Sequence, residues 1–483
     1  MSVNRKTHRT AGDMRCLLVL GLLGVAAAAQ AGGSSESMKD FIASRMQASG
    51  APGLAYAVVA DGGIHSGERG EILQGSGRKI TPDTPFVIGS ISKSFTAMAV
   101  MKLAEASKVD LDAGISQYLK VFSGRPSGAI TIRQLLSHTS GYSTLQGNDA
   151  HTEPGAGNDE LMRHVERIAQ WTPAYEPGTK WDYSNANYYV LGALIEVVSG
   201  LDYAAFVERQ ILEPIGMEHS FVADGERHDD MATGHVPWFG AKRPVKEGRT
   251  DRLSAPVGGV IATAGDVARY LAIMMNGEDD IISARSKAEM MRPASAASSA
   301  YGFGWNVDTE NGTVFHTGLT PGMEALAVMV PAVRKAVVVL VNSGSGMGFG
   351  ENADLFNGVS ARALGLHDAG DQSRWSRKAL FVMFALLPLL FAVGVIWTGL
   401  HPNGLRTKSG LSGAFSLWFP LLTTLALAWT TLWLIPQLFG VSMGTLRRFS
   451  PDLALTLIAS AVTGVLWALF RLGVFYSRRL AAG

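Results

Sequence analysis

The sequence predicts an α/β domain, in which helices flank an antiparallel sheet and form a helical subdomain, followed by three transmembrane helices. Strand-like segments bounded by turn residues lie near both ends of residues 34–367, and helical patterns lie between them. After residue 371 the composition changes to apolar runs of spanning length. This order of elements is typical of a layered domain joined to a membrane segment.

Apolar periodicity and turn residues predict the elements of the first part in order. Strands are expected within residues 58–73, on both sides of the Asp61-Gly62-Gly63 turn, and helices at residues 95–106 and 188–198. Turn residues then separate four short strand patterns, which predict a meander before a closing helix. The meander and the helix cover residues 302–307, 312–316, 325–330, 336–342 and 355–364.

Three apolar runs predict membrane-spanning helices at about residues 379–400, 414–439 and 453–475, and their central parts carry no charged side chain. Lys and Arg lie on every flank, so the positive-inside rule does not choose an orientation. Because an ion path needs ionisable groups at membrane depth, we expect a membrane anchor, or a docking surface for another membrane protein.

The N-terminus resembles a secretory signal. Basic residues precede an apolar run from Leu17 to Ala29, and the small residues of Ala29-Gln30-Ala31 follow. An uncleaved anchor is the alternative, and both place the next domain outside the cytoplasm and the C-terminus inside. We therefore predict a multi-pass protein of the inner (plasma) membrane. Its parts are a signal peptide (1–31), a globular domain (32–368), a linker (369–378) and a membrane domain (379–483).

Composition excludes several classes of function. The formal net charge is +1 and basic residues form no stripe, so no nucleic-acid partner is predicted. The only cysteine, Cys16, lies in the predicted signal, which leaves no thiol for disulfides or catalysis in a cleaved chain. His219, His228 and His235 lack the spacing of a metal site, and we predict no metal and no other cofactor.

A Ser-x-x-Lys sequence, Ser90 to Lys93, carries the strongest chemical signal. It follows a strand-like lead and begins a helix, so both side chains share one helical face and the amine can take the serine proton. The N–H of Ser90 at a helix start also suits an oxyanion. Ser76 and Lys79 repeat the spacing in a glycine-flanked turn, where no helix holds them in register, and we interpret Ser76 as a loop residue.

Two downstream motifs complete a possible site. Tyr183-Ser184-Asn185 follows a Pro-Gly turn, and its tyrosine can pass a proton, more readily if a protonated lysine eases its ionisation. Its asparagine amide can both donate and accept. His316, Thr317, Gly318 and Leu319 end a predicted strand; Gly318 allows close approach of a substrate, and the next N–H can be a second oxyanion donor.

Together, in this order, these motifs resemble the penicillin-binding-protein and class C β-lactamase superfamily of serine hydrolases, whose branch includes D-Ala-D-Ala carboxypeptidases of the B type and esterases. Further stretches that look like this branch are residues 135–141, 212–217, 258–259, 263–264 and 301–305. The resemblance implies a β-lactamase/transpeptidase-like fold. It also implies an acyl-enzyme at Ser90, with Lys93 and Tyr183 as the acid/base pair.

The same resemblance makes Asn185 and residues His316, Thr317, Gly318 and Leu319 the substrate and oxyanion residues. His316 stands where true β-lactamases commonly have a lysine, so a permanently cationic partner for a substrate carboxylate is missing.

The plan of signal, hydrolase domain and three C-terminal spans resembles the membrane-anchored peptidases that remove an N-acyl-D-amino-acid cap from exported non-ribosomal prodrugs. Those peptidases have a serine at the position of Asn185, so the layout is implied more strongly than the substrate.

The leading hypothesis is an extracytoplasmic peptidase or amidase acting on a peptide-like small molecule. A β-lactamase, a D,D-carboxypeptidase or an esterase would use the same residues, because substrate choice resides in loops such as residues 146–159 and 228–249. A different class is a penicillin-binding sensor or scaffold without turnover. Membrane lipid is the predicted contact of the three helices, and neither an oligomer nor a membrane-protein partner is assigned.

Overall fold

The computed structural model describes residues 37–148, 160–246, 249–366 and 374–480. The predicted signal peptide (1–31), most of the 146–159 loop and residues 369–373 of the predicted linker lie outside this part. The domain boundaries therefore stay predictions.

A six-stranded antiparallel sheet forms the centre of the first domain, in the order β2-β1-β11-β10-β9-β8. Its strands are β1 (Gly53–Ala60), β2 (Gly63–Gly70), β8 (Asn306–Asp308), β9 (Thr313–Thr320), β10 (Met323–Val330) and β11 (Lys335–Val341). The predicted hairpin around Asp61 and the late meander are both present. Gly302 to Trp305 precedes β8 instead of extending it, because the chain turns there and the Gly302 N–H donates to the Trp305 carbonyl at 2.9 Å.

Five short strands lie outside this sheet. β3 (Phe86–Val87) and β4 (Phe221–Val222) pair with β7 (Val260–Ala262), and β5 (His235–Trp238) forms a hairpin with β6 (Ala241–Pro244). The small β3-β7-β4 sheet leads the chain directly into the Ser90 segment. The hairpin is part of the 228–249 region, and its tip contacts the membrane domain (below).

Helices cover both faces of the large sheet, and successive residues of the central strand β11 point to opposite faces. Val337, Val339 and Val341 of β11 pack against α1 (Met38–Ser49) and α12 (Ala353–Leu364). Ala336, Val338 and Leu340 belong to the larger core on the opposite face, with α2 (Ser92–Glu105) and α10 (Ala264–Met275). This period-two burial is that of a sheet with two apolar faces. The domain therefore has three layers, with helices on both sides of the sheet.

A helical subdomain is inserted in the chain between β3 and β4, two strands of the small sheet. Its central helix is α6 (Asn185–Ser199), whose buried residues run from Asn185 to Ile195. The remaining helices of the domain are α3 (Ile132–Leu136), α4 (Thr144–Asn148), α5 (Glu160–Ile168), α6 (Asn185–Ser199), α7 (Tyr203–Val207), α8 (Glu213–Ile215), α9 (Ala255–Gly258) and α11 (Ala284–Met290).

Three helices in the described part of the C-terminal region are long and apolar enough to span a membrane, at Trp375–Leu400, Gly410–Leu438 and Pro451–Ser477. The third packs between the other two. Ser460 donates to the Phe384 carbonyl of the first, and a Cβ on Gly394 would lie 2.6 Å from the Trp467 ring. In full the region comprises α13 (Trp375–Leu400), α14 (Asn403–Arg406), α15 (Gly410–Trp429), a π-helical turn (Thr430–Leu434), α16 (Ile435–Leu438), α17 (Met443–Phe449) and α18 (Pro451–Leu480).

The first domain contacts one end of this helical bundle. Arg374, just before α13, forms ion pairs with Glu351 and Asp354. Asp452, at the start of α18, accepts from the Phe239 N–H at the tip of the β5–β6 hairpin, at 3.0 Å. The start of the first span, the end of the second and the start of the third therefore lie on the side of the globular domain.

Candidate active site

Ser90 and Lys93 lie together where the small sheet meets α2. Ser90 is in a 3₁₀ turn, Gly89–Ile91, which continues directly into α2, so the helix expected from the sequence begins as a tighter turn. Lys93 Nζ is 3.0 Å from Ser90 Oγ and donates to the Val257 carbonyl of α9 at 2.7 Å. The amine is thus held against the serine by a fixed second partner.

Lys93 is fully buried, and this environment changes its chemistry. Burial lowers its pKa well below the usual value, because a charged ammonium loses its hydration there. Its nearest aromatic neighbours are the rings of Tyr183 and Tyr188, with centroids 5.0 and 5.7 Å from Nζ. A neutral amine beside a hydroxyl is the species that can accept a proton.

Tyr183 lies beside the same pair, in an extended segment before α6. Its hydroxyl is buried, and burial raises its pKa above the usual value, although the neighbouring Ser90 hydroxyl opposes this rise. The expected ionisation of Tyr183 beside a lysine cation is therefore not favoured, because burial disfavours both the tyrosinate and the ammonium. The geometry suits a neutral phenol that relays protons.

His138 holds the Tyr183 segment in place, a role the sequence did not reveal. Its backbone has a positive φ of 57°, its Nδ1 accepts from the Ser184 N–H at 3.1 Å, and its ring lies 4.3 Å from that of Tyr183. Asn187 of α6 approaches the same Nδ1 at 3.0 Å. The only signal in the sequence was the family-like stretch 135–141, which includes His138.

Asn185, the first residue of α6, is nearly buried and donates through Nδ2 to the Asn148 Oδ1 at 2.9 Å. Thr144, at the other end of α4, donates to the Tyr183 carbonyl at 2.6 Å. Neither Asn148 nor Thr144 was singled out in the sequence, since a five-residue helix far from the motif gives no local pattern.

Strand β9 brings the third motif to the serine. A Cβ on Gly318 would lie 1.9 Å from the Ile88 carbonyl, and a Cβ on Gly89 would lie 2.6 Å from the Leu319 nitrogen. Both glycines are therefore required for this close approach. The backbone nitrogen of Leu319 lies next to the Ser90 turn, where an oxyanion donor would be needed.

His316 lies two residues before Gly318 on β9, where it is buried, and both of its ring nitrogens have partners. Its Nδ1 is 2.7 Å from the Thr317 carbonyl, which only accepts, and its Nε2 is 3.2 Å from the Tyr301 hydroxyl. This pattern places the proton on Nδ1. Burial and the neighbouring Lys93 lower the pKa of His316 to about 3, so the ring is neutral at physiological pH.

The duplicate motif lies elsewhere. Ser76 is exposed in a turn, where its hydroxyl donates to the Leu73 carbonyl at 2.7 Å, and Lys79 forms an ion pair with Glu71. Among the described residues, no group of three or more His, Cys, Asp or Glu side chains could hold a metal.

The fold and the Ser–Lys–Tyr cluster define a serine hydrolase of the penicillin-binding-protein type. Residues 38–361 match the family described as Beta-lactamase, which is well over half of the chain. The chain belongs to this family, and the β-lactamase/transpeptidase-like fold expected from the motifs is confirmed.

The chain is also similar to individual proteins, among them penicillin-binding proteins. The chain is 28% identical to "Penicillin-binding protein 4" of Amycolatopsis lactamdurans, over 65% of this chain and 86% of that protein. It is 26% identical to "Protein flp" of Staphylococcus aureus (strain N315), over 65% of this chain but only 64% of that protein. The octameric penicillin-binding protein homologue from Pyrococcus abyssi superimposes with a TM-score of 0.60 at 25% identity, covering 69% of this chain and 78% of that one.

Proposed function

We propose that this chain is an extracytoplasmic, membrane-anchored peptidase or amidase that cleaves peptide-like substrates through an acyl-enzyme at Ser90. The observation that carries the proposal is the 3.0 Å contact between Ser90 Oγ and the Lys93 amine, and burial of this amine lowers its pKa well below the usual value. A neutral amine in a dry site can deprotonate a serine at physiological pH, which an exposed lysine cannot do.

The reaction then follows from the positions of the groups. Lys93 takes the Ser90 proton while Oγ attacks the substrate carbonyl, and the N–H groups of Ser90 and Leu319 bind the resulting oxyanion. Tyr183, which stays protonated, relays a proton to the leaving amine and recovers it from Lys93. Water then hydrolyses the acyl-enzyme by the reverse path, and Asn185 binds the substrate amide.

The neutral state of His316 favours substrates without a carboxylate over penicillins and D-Ala-D-Ala termini. A neutral ring with both nitrogens engaged offers no cation to the carboxylate of a penicillin or of a D-Ala-D-Ala terminus. A peptide-like substrate that carries no carboxylate at that position is free of this penalty. N-acyl-D-amino-acid prodrugs, suggested by the domain plan, belong to this class.

The substrate class is tested with full-length protein in detergent. We expect an N-acyl peptide amide to be cleaved to an acid and an amine by the wild type and not by Ser90→Ala, with slower turnover of a chromogenic cephalosporin and an ester. A cephalosporin turned over faster than any amide would support a β-lactamase. Stable covalent label without turnover of any substrate would support the sensor.

The placement outside the cytoplasm is proposed from the predicted export signal, and the contacts at one end of the bundle put the start of the first span on the same side as the globular domain. Because a cleaved chain has no cysteine, single cysteines can report it. Ser123→Cys in the globular domain should react with a membrane-impermeant maleimide in intact cells, and Thr407→Cys between the first two spans should not. The reverse pattern would place the domain inside.

A further inference from the structure

Residues 439–442 form the loop that joins the end of the second span to α17, and this loop lies against the candidate site. Asn148 donates through Nδ2 to the Gly440 carbonyl at 2.8 Å. Gly440 has a positive φ of 68°, and a Cβ there would lie 3.1 Å from Thr144 Cγ2. The membrane domain therefore touches both ends of the short helix α4.

Helix α4 in turn supports two motif residues. Thr144 bonds the Tyr183 carbonyl, and Asn148 bonds the Asn185 amide. A Cβ on Gly147 would lie 2.4 Å from the Asn185 nitrogen, so the backbones of α4 and α6 are also in direct contact. A shift of α4 by a few tenths of an ångström must move the start of α6 or break these bonds.

The direction of these hydrogen bonds fixes the orientation of Asn185. A backbone carbonyl only accepts, so the Asn148 atom facing Gly440 must be its NH₂ group, and the atom facing Asn185 must be oxygen. The Asn185 atom facing Asn148 is then its NH₂ group.

We propose that the 439–442 loop is a positioning element of the active site. The Gly440 carbonyl acts through Asn148 to orient the Asn185 amide, and packing on Thr144 holds the Tyr183 backbone. The membrane domain is thus more than an anchor, because its loop contacts the helix that supports Tyr183 and Asn185. This inference rests on the proposed function for its catalytic consequence, while its structural part stands on the contacts alone.

The test is Gly440→Ala in the full-length protein, compared with Gly410→Ala. Gly410 has a nearly identical φ of 69° and lies at the other end of the bundle, with nothing within 4 Å of its Cβ position. Both substitutions carry the same backbone strain, but only Gly440→Ala pushes on α4.

Hydrogen–deuterium exchange reads out the structural part without any substrate. For Gly440→Ala we expect about fivefold faster exchange in residues 144–148 and 183–190, with β9 to β11 unchanged, and no such change for Gly410→Ala. Unchanged exchange in those two segments, or an increase that includes the central sheet, would overturn the proposal.

Fluorophosphonate labelling of Ser90 reads out the catalytic part. We expect the labelling rate of Gly440→Ala to fall by about tenfold, and that of Gly410→Ala to stay within about twofold of the wild type. Faster local exchange with an unchanged labelling rate would refute the positioning role. A wild type that is never labelled at Ser90 would instead refute the proposed function and leave the exchange result to stand.

Two substitutions at Asn148 identify the partner that matters. Asn148→Asp keeps an acceptor for Asn185 but turns a carboxylate oxygen toward the Gly440 carbonyl, whereas Asn148→Ala removes both bonds. If the loop orients the site, both variants lose activity to a similar extent. Wild-type activity in Asn148→Asp would show that only the local bond to Asn185 is needed.

Discussion

Two Ser-x-x-Lys sequences in this protein have opposite environments. In one, Ser90 and Lys93 share the start of a buried helix, and Nζ lies 3.0 Å from Oγ. In the other, Ser76 and Lys79 lie in an exposed turn, and the lysine side chain keeps 70% of its exposure while it pairs with Glu71. Identical spacing thus gives a candidate catalytic pair only where burial lowers the lysine pKa and a helix fixes the distance.

The largest expected effect separates the two serines. Ser90→Ala should abolish covalent labelling by a fluorophosphonate and all substrate turnover, because no other group can carry the acyl intermediate. Ser76→Ala should keep both activities, since its hydroxyl bonds only within its own turn. Mass spectrometry of the labelled peptide checks the assignment, and label found on Ser90→Ala would remove the basis of the comparison.

The two lysines should differ by several orders of magnitude. Lys93→Met should lower kcat/KM by about 10²–10⁴-fold through loss of the base, and Lys79→Met should leave kcat/KM unchanged. The stability of the folded protein should increase in Lys93→Met, although its activity falls. At pH values between its lowered folded pKa and its unfolded pKa, a buried lysine binds fewer protons in the folded than in the unfolded state, so wild-type stability falls as the pH drops below about 10.4, the usual lysine pKa.

Lys93→Met has no such proton linkage, so its stability relative to the wild type should increase as the pH is lowered from 10 to 7. Chemical denaturation at several pH values measures this. An active Lys93→Met would mean that the amine is not the base. A stability difference that does not change with pH would mean that the amine is charged in the folded protein.

Tyr183 tests whether a third group is needed beside the pair. Tyr183→Phe keeps the ring that packs on His138 but removes the hydroxyl, and we expect kcat to fall by about 10²-fold. Tyr175→Phe is the control, because the Tyr175 ring contacts Lys180 away from the site. A fall in KM alone, with kcat unchanged, would contradict proton relay.

Much of this site could be predicted from local sequence. Residues 90 and 93 are one helical turn apart, and the four short strand patterns between residues 302 and 342, separated by turn residues, predicted the late meander. The positive φ of His138 and its bond to Ser184 could not be predicted, because they depend on a contact across 46 residues.

The contribution of Asn148 was even less visible in the sequence. It bonds Gly440, which is 292 residues away in a segment that composition identified only as membrane-associated. Hydropathy predicts that such a segment spans, but not which face of the globular domain its loops touch. The three spans were predicted because length and apolarity are local properties, while their docking depends on particular side chains.

The smallest expected effect concerns His316, whose pKa of about 3 keeps it neutral near the Ser90–Lys93 pair. Its folded pKa is below the unfolded value of about 6.5, so folding excludes a proton and stability falls as the pH drops from about 6.5 towards 3. His316→Gln, which stays neutral, should remove about 1–3 kcal/mol of the loss in unfolding free energy between pH 7 and pH 4.5. The kcat/KM profile of the wild type should show no inflection from this residue between pH 5 and 8.

Denaturation curves of both proteins at the two pH values check the linkage. Equal acid sensitivity of the variant and the wild type would mean that His316 carries charge in the folded state, and the site would then have a cation for a substrate carboxylate after all.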